Sequence, residues 1–482
     1  LDKRDEKLQF GNWFVGRSEF RLNGILNLNY DTNEGELELY SDEAISLPYN
    51  TDVVYGKTYQ GKGFTLYKCS IQATKSTSIT HDYVPKFIYK VNCSYILEGE
   101  ILFTSEEEIN VREVYFSVTN LNKWAFQSAV NMELDDSSEY IITTKSIDDI
   151  THQNNEFEFS IKYITMPDYN YNFTSSLKIE TSTQLFIEFF KPTSLTRANS
   201  IINQVRDFIS LCSDSRTYIK YVTITPFDTE SKGFTPRIQV LGRGIDFEDK
   251  ENVETLKNYT PYISLEQIKD DFNVCMANWF NKNEKLKPVI DLYLSLGYHR
   301  TSYERHFLNM VQALEAYHRL TRKNHVLPKA EYSKKIERII ENVDEEYQQW
   351  VKEKLAFSNE PSLHERLEEL LTPTSKNGLV QHEGKYYHLF RLRNKKKDEI
   401  IRDIKNTRNY NTHFSERLLR KTVKGEELYQ LILLLKNMVE FYLLTELEID
   451  EETILDLTWE KSSRLSTRNS LLEATRDSNI TF

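Results

Sequence analysis

Near the C-terminal end of the chain runs Arg408-Asn409-Tyr410-Asn411-Thr412-His413. An arginine and a histidine five positions apart can together carry phosphodiester chemistry. Imidazole has an unperturbed pKa of ~6.5, so near neutral pH it can take the proton from a ribose 2′-hydroxyl. The freed oxygen attacks the adjacent phosphorus, and negative charge gathers on the phosphoryl oxygens. A guanidinium binds two of those oxygens at once, which an ammonium does less well. The Asn409 amide can orient a phosphate or the imidazole. Such a reaction requires no metal.

Spacing by itself is a weak signal. The chain holds 24 Arg and 10 His, and chance alone gives on the order of one or two pairs at this kind of spacing. Two others are present, Arg300 with His306 and Arg319 with His325. The 408–413 pair differs from them in having Asn directly after the Arg, in lying between two expected helices, and in sitting within a basic island. Residues 391–424 contain twelve basic and four acidic side chains, a net of +8 in a chain whose total is −12. That overall acidity excludes a general nucleic-acid coat. A local positive island instead suggests a focused anionic ligand, although a solvated helix face reads the same way. Within the island, Lys395, Lys396, Lys397, Lys405, Arg417 and Arg420 are candidate phosphate contacts.

These residues need elements to position them. On an unbroken helix, five residues turn a side chain through about 140°, so Arg408 and His413 would diverge. Asn409, Asn411 and Thr412 are poor helix-interior residues and good caps, which predicts a helix junction near Asn411-Thr412 that could bring both groups to one surface. The other solution is a two-fold axis that sets identical patches opposite each other. Around the motif the hydrophobic period is helical. Phe307, Met310, Val311, Leu314 and Tyr317 form one stripe; Leu428, Leu431, Ile432, Leu435, Met438, Val439 and Tyr442 form another. Further helices are expected at about 264–281, 331–342, 345–357, 362–371 and 388–407. The first half alternates instead. Phe157, Phe159, Ile161 and Tyr163 share one face of a strand, and a helix at 195–211 interrupts the β run. The fold class is α+β: a β-rich N-terminal domain over 1–262, an all-α helical bundle over 263–450, and a polar tail over 451–482.

Several functions fall away. His382 and His388 are six apart around Gly384, unlike the i, i+4 pair of a zinc helix. Gly242-Arg-Gly244 lacks the third glycine of a dinucleotide loop, and no phosphate-binding Gly-x-x-x-x-Gly-Lys exists. No cofactor and no metal site is expected. Cys69, Cys93, Cys212 and Cys275 lie far apart in sequence and read as reduced thiols of a cytoplasmic protein. The longest apolar run in the C-terminal half is Leu431–Leu435, so no membrane-spanning segment and no membrane partner is expected.

The stretch Phe307-x-x-Met310-Val311-x-Ala313-Leu314-Glu315-Ala316-Tyr317-His318, followed by Arg408-Asn409-x-x-x-His413 and a final apolar helix, resembles the ApeA-like HEPN domain. Gly24-Ile-Leu, residues 56–66, Leu97-Glu-Gly99-Glu-Ile and Trp124 resemble the matching ApeA N-terminal domain. The resemblance implies a bacterial anti-phage, abortive-infection protein. It implies a metal-independent endoribonuclease working as a homodimer or larger homo-oligomer, with the motifs meeting at the interface. Arg408 would then stabilise the phosphorane and His413 act as general acid and base, with Asn409 supporting. Glu315 is a candidate partner for Arg408, and Tyr410 a candidate base-stacking or interface residue. Single-stranded or loop RNA, transfer-RNA anticodon loops included, would be the substrate. The β-rich domain would respond to a phage-encoded trigger or restrain the nuclease. The rival readings are a non-catalytic HEPN scaffold that binds RNA or a partner, and a β-sandwich ligand-binding protein whose helices only oligomerise it.

Overall fold

A computed structural model of the protein describes residues 7–17, 20–75, 87–134, 139–167, 179–227, 236–247, 262–298, 301–372, 392, 395–458 and 461. The chain divides into two compact units. One comprises residues 1–213 and 217–273, the other 214–216 and 274–482.

The first unit is β-rich, as the alternating sequence predicts. Strands β1 (Lys7–Val15), β2 (Arg21–Asn29), β3 (Glu34–Ser41), β4 (Asn50–Thr58), β5 (Gly63–Lys75) and β6 (Phe87–Gly99) pair antiparallel in the ring order β6-β3-β2-β1-β4-β5. The β5–β6 pairing closes the ring into a barrel. Its interior holds Trp13, Leu26, Leu37, Phe64, Leu66 and Val91, all essentially fully buried. The Trp13 indole lies against two glycines on the neighbouring strands: a Cβ added at Gly24 would come 2.9 Å from its ring, and one at Gly56 2.8 Å. The alternation reverses in the middle of β5. Phe64 and Leu66 point into the barrel, then Lys68 adopts φ +56°, and beyond it Cys69 and Ile71 point inward. Tyr67 is left on the other face, stacked on Tyr95 at 5.7 Å. One left-handed residue therefore changes the phase of a period-two strand without shifting its register.

From β6 the sheet continues through β14 (Ile238–Leu241), β13 (Ile219–Pro226), β7 (Asn110–Val118), β12 (Ile179–Ser194), β11 (Phe157–Pro167) and β10 (Ile150–Gln153). The expected helix spans Leu195–Ser213 and buries Ile201, Ile202, Val205, Phe208 and Ile209. A separate hairpin pairs β8 (Val130–Leu134) with β9 (Tyr140–Thr144). Cys69 and Cys93, far apart in sequence, stand directly opposite each other on β5 and β6 as free thiols, and burial pushes Cys93 up to about 12.

The second unit is helical. Its main elements are Phe272–Tyr298, Tyr303–Thr321, Lys329–Glu341, Glu345–Leu355, Leu363–Leu370, Lys397–His413, Glu416–Leu419 and Gly425–Glu446. Both stripes read from the sequence are buried: Phe307, Met310, Val311 and Leu314 on one helix, Leu428, Leu431, Leu435 and Met438 on the other. Three expectations need correction. The helix placed at 388–407 begins at Lys397 and continues to His413. By length and composition Gly425–Glu446 is apolar enough to cross a membrane, contrary to the reading from its longest apolar run; it is the buried central helix of this unit. The polar tail from 451 opens with a helical stretch, residues 451–458, that buries Ile454, Leu455 and Leu457.

The barrel makes a specific prediction. A Cβ at position 56 would lie 2.2 Å from the backbone oxygen of Asn12, a contact that no rotamer change relieves. Gly56→Ala is expected to destabilise the protein by about 1–3 kcal/mol, read as a lower urea midpoint of the first unfolding transition.

Candidate functional site

The helix Lys397–His413 carries the whole Arg-Asn-x-x-x-His motif. Glu399 accepts from the Lys396 N–H at 2.9 Å and caps its start. Ile400, Ile401, Ile404 and Thr407 form the face buried against the Tyr303–Thr321 and Leu363–Leu370 helices. Thr407 is completely buried, and its hydroxyl accepts the Val423 N–H at 3.1 Å, which fixes the helix against the segment leading into Gly425–Glu446. The helix therefore cannot roll about its axis without losing a buried hydrogen bond. It stops at Phe414, whose N–H reaches the Tyr410 carbonyl at 2.7 Å and whose backbone turns left-handed at φ +51°.

The expected junction near Asn411-Thr412 is absent. Hydroxyl bonding explains the continuity: Thr412 donates back to the Arg408 carbonyl at 2.8 Å, one turn away, so the residue expected to break the helix is satisfied within it. Arg408 and His413 consequently diverge by about 140° around one axis. Arg408 sits half-buried beside the core. Its guanidinium lies 3.7 Å from the Glu315 carboxylate and donates to the Asn409 amide oxygen at 3.2 Å. His413 is exposed and makes no hydrogen bond or ion pair among the described residues. Asn409 is four residues from His413, so it occupies the arc between the two groups while holding the arginine. Tyr410 is three residues from His413 on the solvent side.

The basic island splits along the helix. At its start Lys395 pairs with Asp403 at 2.8 Å and with Glu427 at 3.8 Å, and Lys397 with Glu368 at 3.4 Å. The hydrogen bond it donates to Asp403 holds the Lys395 ammonium above its ordinary pKa. Lys396, Lys405, Arg417 and Arg420 make no ion pair among the described residues, and Arg417 and Arg420 are exposed just past His413. Arg391 and Arg393 lie outside the described residues, as do His382 and His388.

Behind Arg408 is a cluster the sequence did not announce. Arg366 is buried, and it donates to the Pro361 carbonyl at 3.0 Å, the Asn324 amide oxygen at 2.6 Å and His318 Nδ1 at 3.1 Å. A guanidinium can only donate, so His318 Nδ1 accepts and Nε2 carries the proton, donating to Glu369 at 3.0 Å. The carboxylate paired with Arg366 is Glu360, at 3.4 Å, while Glu315 pairs with Arg408. The Tyr317 ring stacks on Tyr442 at 4.9 Å, and Tyr317 donates to Glu446 at 2.9 Å, tying the Glu315 helix to the central helix. A two-residue signal existed in the sequence, His318 three positions after Glu315, but nothing in it pointed to Arg366, some fifty residues on. Among the described residues no group of three or more His, Cys, Asp or Glu is arranged to hold a metal ion.

A family model described as ApeA N-terminal domain 1 matches residues 10–279, and one described as Apea-like HEPN matches residues 308–453. No curated protein and no solved structure matches the chain.

Burial holds His318 below its usual pKa, with Glu369 opposing and the cations of Arg366 and Arg322 reinforcing the shift. A depressed folded-state value means that the neutral ring contributes stability above pH ~6.5, and that this contribution is lost as pH falls through the folded value. The stability advantage of wild type over His318→Asn should therefore shrink between pH 7.5 and 5.5, read from urea midpoints.

Proposed function

This chain belongs to the ApeA family, and on that basis we propose that it is a HEPN endoribonuclease effector of bacterial anti-phage defence, acting by abortive infection. The observation that carries the reading is the contrast on one helix. Arg408 is tethered by Glu315 and Asn409, while His413 stands exposed at the helix end and, like Arg417 and Arg420 just after it in the chain, has no hydrogen bond or ion pair among the described residues. A tethered guanidinium suits charge stabilisation, because its donors are already oriented when charge develops. A free imidazole suits proton transfer.

In the proposed reaction His413 takes the proton from the ribose 2′-hydroxyl, and the oxygen closes on the adjacent phosphorus. Arg408 neutralises the equatorial oxygens of the phosphorane. The 5′-oxygen leaves with a proton from an imidazolium, and a 2′,3′-cyclic phosphate remains. No metal enters any step. The divergence of about 140° between the two groups favours a site shared across a two-fold axis, where Arg408 of one protomer meets the partner subunit's His413. RNA with unpaired loops, transfer-RNA anticodon loops among them, fits the in-line geometry this attack needs. The N-terminal barrel unit is proposed to restrain the nuclease until infection triggers it.

A scaffold that binds RNA without cleaving it would not need both Arg408 and His413. Arg408→Ala and His413→Ala are each expected to lower RNA cleavage and phage protection by at least about a hundredfold with the fold intact. Cleaved ends should carry 2′,3′-cyclic phosphates, and cleavage should persist in EDTA. Full phage protection by both variants would remove the nuclease reading.

A further inference from the structure

Phe414 follows the motif directly, and the one ring contact it makes among the described residues is with Tyr410. The side chain is 73% exposed. Its backbone sits at φ +51°, ψ 34°, in the left-handed region where a bulky residue is an outlier. A glycine or asparagine would end the helix there with less strain. Strain retained at an exposed position, beside chemistry-bearing groups, indicates that the side chain itself is wanted. The turn that creates the strain also aims the ring: Phe414 meets Tyr410 edge-on, with centroids 6.1 Å apart at 67°. Tyr410 in turn is one helical turn from His413. Beyond Phe414 stand Arg417 and Arg420, exposed and without ion pairs among the described residues. Two aromatic rings in edge contact, at a helix end that carries His413 and is followed in the chain by Arg417 and Arg420, match the chemistry of a flat apolar surface attached to a phosphodiester.

We propose that Phe414, backed at its edge by Tyr410, is the platform on which an unpaired nucleobase stacks next to the scissile phosphate. The inference rests on the reading of this helix as an RNA-cleaving site, and it adds the side chain that would recognise an unpaired base there. A base still paired and stacked in a duplex cannot reach the ring, so the site takes single-stranded or loop RNA. Because every base has a π-face, the platform confers little sequence preference.

The test uses the full chain and a fluorescein-labelled twelve-nucleotide RNA, made uncleavable by 2′-O-methyl groups, with binding read by anisotropy. Phe414→Gly and Phe414→Leu should weaken binding about tenfold, while Phe414→Trp binds within about twofold of wild type. A fully paired duplex of the same sequence should show no dependence on residue 414. Phe414→Gly should melt no lower than wild type, since glycine adopts this backbone without strain. With cleavable RNA, the Gly and Leu variants should raise KM and leave kcat nearly unchanged. Wild-type binding by both variants overturns the proposal. So does dissociation of Phe414→Gly into monomers in sedimentation, which would assign the ring to a contact between copies of the chain. The cleavage reading fails separately: if His413→Ala still cleaves while binding still depends on residue 414, the platform stands and the catalytic assignment falls.

Discussion

Five residues of continuous α-helix rotate a side chain by about 140°, and this rotation governs how the Arg-Asn-x-x-x-His motif can work. The helix is continuous from Lys397 to His413, and its orientation is fixed by Ile400, Ile401, Ile404 and the buried Thr407–Val423 hydrogen bond. Arg408 is thereby kept against the core and His413 in solvent. No rotamer change reverses that assignment. In the proposed reading, the two groups meet because a second copy of the helix faces the first, which turns a helix-internal divergence into a requirement for pairing.

The electrostatics are divided along the same axis. At the start of the helix Lys395 and Lys397 are paired with Asp403, Glu427 and Glu368, while Arg417 and Arg420 past His413 make no ion pair among the described residues. The net +8 of the segment is therefore compensated unevenly, and Arg417 and Arg420, which follow His413 in the chain, are among the cations left without an ion pair within the described residues. Glu315 serves the opposite purpose at Arg408. It pairs with Arg408 at 3.7 Å, and the neighbouring buried Arg366 is held by His318, Asn324, Pro361 and Glu360. A charge anchored this way changes position little when a phosphate arrives, which is the condition for electrostatic stabilisation.

Much of this was legible before any coordinates. The period of Phe307 through Tyr317 and of Leu428 through Tyr442 identified the two buried helices, and the alternation of Phe157 through Tyr163 identified a strand, because burial on one face imposes those periods. Glu315 was a candidate partner for Arg408, and its carboxylate lies 3.7 Å from that guanidinium. Three things were not legible. The helix was expected to end at 407, with a junction near Asn411-Thr412, yet it runs on to His413, because the Thr412 hydroxyl bond to Arg408 cannot be seen in cap propensity alone. The Lys68 inversion in β5 falls on a lysine, a residue with no local signal for a left-handed backbone. Phe414 was passed over because a left-handed cap is ordinarily sought at glycine or asparagine.

The most direct test of the shared site is complementation between inactive chains. Arg408→Ala and His413→Ala protomers would be co-expressed, purified as a mixture and assayed on a single-stranded RNA that wild type cleaves. Random pairing gives mixed dimers in half of the cases, each with one intact Arg–His pair out of two, so the account predicts recovery of about a quarter of wild-type cleavage. A mixture as inactive as either variant alone, with mixed dimers present, would contradict it.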